Sequence, residues 1–276
     1  MNKIRTINTD IIEKVIYQLC VEANTSLDKN IIKRFNDHKD NEVISDLLEN
    51  AKIANENKVP ICQDTGVVIV FLEIGQDIHM TGKSLKKAIN NAVAKAYTDN
   101  YFRKSIAKDP LQRENTQDNT PAIIYTEIVT GDKIGITIMI KGGGSENKST
   151  LKMLTPAANW GDIKKFTIDT IKKAGASACP PYVIGLGIGG TFDYVTILAK
   201  KALCRATGKK NSNKEIAKYE QDLLKDINNL PIGPAGFGGD PTALSVHIET
   251  APCHIASLPV AVNIGCHANR HATRNF

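Results

Sequence analysis

Four of the six cysteines stand in turn-forming contexts: Pro60-Ile61-Cys62-Gln63-Asp64-Thr65-Gly66, Ala178-Cys179-Pro180-Pro181, Ala251-Pro252-Cys253-His254 and Gly265-Cys266-His267. Loops commonly present ligands, and glycine or proline beside a thiolate lets backbone amides approach the sulfur. No Cys-x-x-Cys pair occurs, which argues against a zinc knuckle or a thioredoxin-type couple. Single cysteines far apart in sequence can still meet in a fold around an iron–sulfur centre. The other two differ. Cys20 follows Ile16 and Leu19 at helical spacing and Cys204 ends a helical run, so both are expected to pack as small hydrophobes.

Proton-transfer candidates are Asp64, His254, His267 and His271. Asp64 follows Cys62 by two residues and could face the same site, although an Asp before Thr-Gly also suits a turn. His247, inside Leu244–Ile248, reads as a satisfied strand residue, and His38 and His79 read as surface groups. Three glycine-rich segments, Gly142–Gly144, Gly185–Gly190 and Gly233–Gly239, could present amide donors to an anion. The middle one contains G-x-G-x-x-G, which keeps a nicotinamide-dependent oxidoreductase open as an alternative. That fingerprint also needs an acidic residue about 20 positions later, and Leu203–Asn213 has none.

These residues must be held by a scaffold. Apolar residues recur at helical spacing from Ile11 to Ala23 behind a Thr9 cap, through Ile31–Leu48, and in Leu85–Tyr97, Trp160–Ala174, Asp193–Leu203 and Lys214–Leu230. Strands are expected at Gly66–Ile74, Ala122–Val129, Ile134–Ile140, Thr242–Ile248 and Leu258–Ile264, with Tyr182–Ile184 entering a glycine-rich turn. Without a regular βα repeat, the pattern predicts α+β: mixed sheets surrounded by helices, in a single domain over residues 1–276. Gly208–Lys214 is the best linker candidate.

Composition narrows the partners. The chain has 276 residues, 42% hydrophobic and 23% charged, which fits an ordinary globular protein. The longest apolar run, Val67–Leu72, is far below the roughly 20 residues of a membrane span, and the polar N-terminus lacks a signal-peptide core. A cytoplasmic protein is expected. The net charge of +6 comes from scattered lysine pairs, not from a basic run interleaved with aromatics, so no nucleic-acid groove is expected. A modest positive field suits an anionic substrate.

Taken together, Ile61–Gly66, Lys141–Asn147, Cys179-Pro180-Pro181 with its glycine-rich tail, Gly233–Gly236 and Gly265–Ala268 resemble, in order, the motifs of the class I fumarate hydratase α subunit. L-tartrate dehydratase α subunits are the close relatives. The resemblance implies a [4Fe–4S] cluster on Cys62, Cys179 and Cys266 with one iron open, and Cys253 as a non-ligand near the site. It further implies Asp64 and His254 as the acid–base pair, with Gln63, Arg103, Gly143 and Gly144 binding the carboxylates of a small dicarboxylic acid. Ser145-Glu146-Asn147 is similar to the fumarase version of its motif, which places fumarate and malate above tartrate. The chain stops ten residues after Cys266, so a separate β subunit is expected, in an α2β2 assembly. A non-catalytic iron–sulfur electron carrier is a further alternative.

Overall fold

The computed structural model describes residues 4–276. The first half of the chain forms β1 (Arg5–Asn8), α1 (Thr9–Thr25), α2 (Lys29–Asn36), α3 (Glu42–Asn57), β2 (Val67–Gly75), β3 (Ile78–Thr81), α4 (Leu85–Asp99), β4 (Ile123–Val129) and β5 (Ile134–Lys141). The second half adds α5 (Gly143–Glu146), β6 (Thr150–Leu154), α6 (Trp160–Ala174), β7 (Tyr182–Gly189), α7 (Tyr194–Leu203), α8 (Lys214–Asn228), β8 (Ala243–Ala251), β9 (Leu258–Gly265) and β10 (His271–Asn275). The fold is α+β with mixed sheets, as expected.

The chain divides into two compact units. The first takes the N-terminal stretch up to Leu27, Asn50–Gly142 and Arg270–Phe276. Its four-stranded sheet has the order β10-β5-β2-β4, with β2 and β4 parallel and the other pairs antiparallel. Successive side chains of a strand point to opposite faces, so Val68, Val70 and Leu72 of β2 share a face with each other, as do Ile134, Ile136 and Ile138 of β5. Both sets are buried in one core with Ile12, Ile16 and Leu19 of α1 and Ile89 and Val93 of α4.

The second unit comprises Asp28–Glu49 and Gly143–Asn269. Its sheet has the order β6-β9-β7-β8, again mixed. Ile163 and Ile171 of α6, and Leu223 and Ile227 of α8, pack with Ile184, Leu186, Val260 and Val262 in its main core. Val195 and Ala199 of α7 form a smaller cluster with Ala261. The Gly208–Lys214 linker candidate lies inside this unit.

Three local expectations change. Thr9 is the first residue of α1; Asn8 caps it, its side chain accepting from the Asp10 amide at 2.9 Å. The Ile31–Leu48 stretch is two helices, with turns at Asp37–Asp40 between them. The G-x-G-x-x-G segment is not a phosphate-binding loop, because Gly185–Gly189 belongs to β7. Its glycines serve close packing: a Cβ on Gly185 would lie 2.2 Å from the Ala199 carbonyl oxygen, and one on Gly187 would lie 2.1 Å from that of Val195. The bare strand lets the α7 backbone sit directly on it. The short strands β1, β3, β6 and β10 carry too little apolar alternation to be read from sequence. Among the described residues, no helix is long and apolar enough to cross a membrane.

Candidate active site

In the second unit, four of the sequence motifs converge at one end of β7. The antiparallel pairing of β7 and β9 sets Val183 opposite Gly265, so the turns carrying Cys179 and Cys266 emerge side by side. The His267 amide donates to the Cys179 carbonyl at 3.0 Å, tying them together. The Gly233–Gly236 motif docks on the same turn, the Ala235 amide donating to the Pro180 carbonyl at 3.0 Å. A Cβ on Gly236 would come within 2.3 Å of the Ala176 Cβ, so only glycine permits that approach.

The short helix α5, which carries Gly143 and Gly144, also borders this turn: a Cβ on Gly144 would be 3.5 Å from the Ser177 carbonyl oxygen. Its far end is anchored by Glu146, which pairs with Lys200 and accepts from Asn263 Nδ2 at 3.3 Å. Cys179 itself has left-handed backbone, with φ of 55°. For a side chain with a Cβ this costs on the order of 1–2 kcal/mol, and such strain clusters at functional sites.

His254 lies elsewhere in this unit. It follows β8, whose Ala251 is opposite Gly189 at the other end of β7, and it is exposed with Nδ1 accepting from the Ala256 amide. Cys253 is beside it, donating to the Ser257 carbonyl at 3.3 Å. The length of β9 therefore separates both residues from Cys266.

In the first unit, Cys62, Gln63, Asp64 and Arg103 are brought together. The Asp64 carboxylate accepts from the Gly66 amide at 3.0 Å and lies 3.5 Å from the Ser105 hydroxyl. Thr65 Oγ1 donates to the Arg103 carbonyl at 2.5 Å, and the Tyr97 hydroxyl donates to the Thr65 carbonyl. Arg103 is exposed and Cys62 half-buried. Gly66, at φ of 64°, could not carry a Cβ, which would meet the Lys141 carbonyl oxygen at 2.7 Å.

Sequence reasoning missed Arg270 and Asn24. Arg270 is 4% exposed; its Nη2 donates to the Asp64 carbonyl at 2.6 Å and its Nη1 to Asn24 Oδ1 at 3.1 Å. The available signal was a polar Asn on the apolar stripe of the first helix, beside Cys20 and Ala23.

Cys20, Cys204 and His247 behave as expected. Cys20 is fully buried and desolvation pushes its thiol up to about 12. Burial does the same for Cys204, only partly offset by Lys200 and Lys201. His247 is satisfied inside the core, by Ser245 at 2.9 Å and the Ala202 carbonyl at 3.1 Å.

Among the described residues, no three His, Cys, Asp or Glu side chains surround a point as a single metal ion requires. An iron–sulfur cluster differs, because it takes its thiolates on separate irons. The donor chemistry fits such a group: Cys62, Cys179 and Cys266 carry soft sulfur donors outside any disulfide, none of them fully buried.

A family model described as fumarate hydratase (fumerase) matches residues 9–275. The chain is similar to a protein of Methanocaldococcus jannaschii named "Putative L(+)-tartrate dehydratase subunit alpha", with 47% identity over 236 residues, 83% of this chain and 82% of that one. It is also similar to the L(+)-tartrate dehydratase subunit alpha of Escherichia coli K12, with 28% identity over 282 aligned positions, 99% of this chain and 92% of that one.

Proposed function

Because this chain belongs to the fumarate hydratase family, and so to the hydro-lyases, we propose that it is the α subunit of an enzyme interconverting fumarate and L-malate. Cys62, Cys179 and Cys266 would hold a [4Fe–4S] cluster, three thiolates for its four irons. The observation that carries this reading is the backbone bond joining the Cys179 and Cys266 turns, two far-separated cysteines meeting at one corner of a sheet. When bound, the cluster supplies a Lewis-acidic iron to the substrate oxygens, which makes hydroxide a better leaving group.

The chain's own residues bind and exchange the proton. Gln63, Arg103 and the amides of Gly143 and Gly144 hold the carboxylates, Arg103 being suited to a bidentate pair. Asp64 acts with His254 on the proton at the hydroxyl oxygen, His254 coming from the second α subunit of the assembly, since within its own chain it lies at the far end of β7 from Cys179 and Cys266. The two units serve as one iron–sulfur subunit, in the cytoplasm.

Ser145-Glu146-Asn147 favours fumarate. A second reading, tartrate dehydration, is favoured by the names of the relatives. Those relatives are named as α subunits, which supports a separate β subunit here, in an α2β2 assembly.

Anaerobic reconstitution with iron and sulfide tests the centre. The expected result is about four irons per chain, in keeping with a single cluster, and their loss in Cys62→Ser, Cys179→Ser or Cys266→Ser. An iron-free protein after reconstitution would overturn the proposal. Parallel assays with malate and tartrate then decide between the substrates.

A further inference from the structure

Arg270 is buried, yet it lies in none of the motifs that define the site. Its guanidinium bridges two acceptors, the Asp64 main-chain carbonyl and the Asn24 side chain. Asn24 is fully buried and its own amide donates to the Cys20 carbonyl at 3.0 Å, so it is fixed to α1. The other end of Arg270 is fixed as well, its carbonyl accepting from the Ile140 amide at 2.9 Å. The bridge therefore runs from a helix and a strand to the segment bearing the carboxylate.

We propose that Arg270 is a positioning residue of the reaction, holding the Asp64 main chain so that its carboxylate keeps one aim. The inference rests on the reading of Asp64 as the acid–base group. Two contacts and the bare space at Gly142 set that aim. The Gly66 amide and the Ser105 hydroxyl lie on Oδ1. Oδ2 and Arg270 Nη2 both close on bare Gly142, where an added Cβ would meet them at 3.0 and 3.6 Å.

A buried guanidinium is costly to desolvate, and an apolar side chain would fill the same space at less cost. What an apolar residue cannot do is hold a carbonyl and an amide oxygen at once in a planar fork, and neither can the single ammonium of lysine. Misplacing a reacting group by about 1 Å costs on the order of 100-fold in rate.

The experiment uses the complex of this chain with its partner subunit, loaded with iron and sulfide, and measures iron content, kcat and KM for malate. Arg270→Lys is expected to keep its iron and a KM within about twofold, with kcat lowered by about 10- to 100-fold. The double variant Arg270→Lys/Asp64→Asn should be no slower than Asp64→Asn alone, since the arginine acts only through that carboxylate. Multiplying losses in the double variant, or an undiminished kcat in Arg270→Lys, would overturn the proposal. Should Arg270→Lys fail to accumulate, Asn24→Ala goes through the same cycle with the same criteria, because it removes one of the two acceptors. A wild-type kcat for Asp64→Asn sinks the reading of Asp64 and this proposal with it. A slow Asp64→Asn with multiplying losses sinks this proposal alone.

Discussion

Thiols of one chemical type are separated here by their surroundings. Burial raises Cys20 and Cys204 to about 12, so at neutral pH they remain protonated and unreactive, whereas the nucleophile in alkylation is the thiolate. Iodoacetamide at pH 8 should therefore label Cys62, Cys179 and Cys253 in the iron-free chain and leave Cys20 and Cys204 unmodified, as peptide mass spectrometry would show. Asp64→Asn should lower kcat by about 100- to 10,000-fold, the usual range for a positioned acid or base. If His254 is its partner, adding His254→Asn to Asp64→Asn should cause no further loss, and steady-state kinetics of the two variants would reveal a second, independent role. The cysteine sorting was legible in the sequence, because helical spacing marks a packing thiol and proline or glycine marks a presented one. Arg270 was not legible. Nothing in a linear string distinguishes an arginine buried against a carbonyl from one in solvent.

Elements account for what the sequence misrepresented. G-x-G-x-x-G reads as a loop because glycine is a poor strand former, but here it relieves a steric conflict between β7 and α7. Gly187→Ala would drive a methyl into the Val195 carbonyl. Such overpacking typically costs about 1–3 kcal/mol, and more where the obstacle is backbone that cannot turn aside. Its thermal midpoint should fall by several degrees, and an unchanged midpoint by differential scanning calorimetry would show that α7 can shift. The long helices were legible because their buried faces repeat at a period of 3.6, and the strands β2, β5 and β9 because they are short apolar, valine- and isoleucine-rich runs, buried along most of their length. β6 and β10 were not. They carry lysine, threonine, arginine or asparagine, and they are strands because a partner edge offers them hydrogen bonds.

At the scale of the molecule, each unit carries part of the proposed chemistry: Cys62, Asp64 and Arg103 in one, Cys179, Cys266 and the α5 glycines in the other. Residues far apart in sequence gave no sign of which would share a unit. The chain alone should turn over neither malate nor fumarate, and a β partner should restore activity, followed by fumarate absorbance. Full turnover without a partner would refute the subunit assignment. An open iron further implies inactivation by oxygen with recovery on adding ferrous iron and reductant.

The first unit's sheet is completed by β10, whose Arg274 also pairs with Glu22 of α1 at 3.2 Å. All of Gly143–Asn269 lies between β5 and the strand that covers its edge. During synthesis, α1, α4, β2, β4 and β5 leave the ribosome long before residues 270–276 exist. Their apolar sheet edge then stays uncapped while Gly143–Asn269, the larger part of the second unit, is made, the situation in which nascent chains aggregate or recruit chaperones. A ribosome-stalled chain ending at Asn269 should therefore be cut readily within the first unit by a protease that spares the full-length protein.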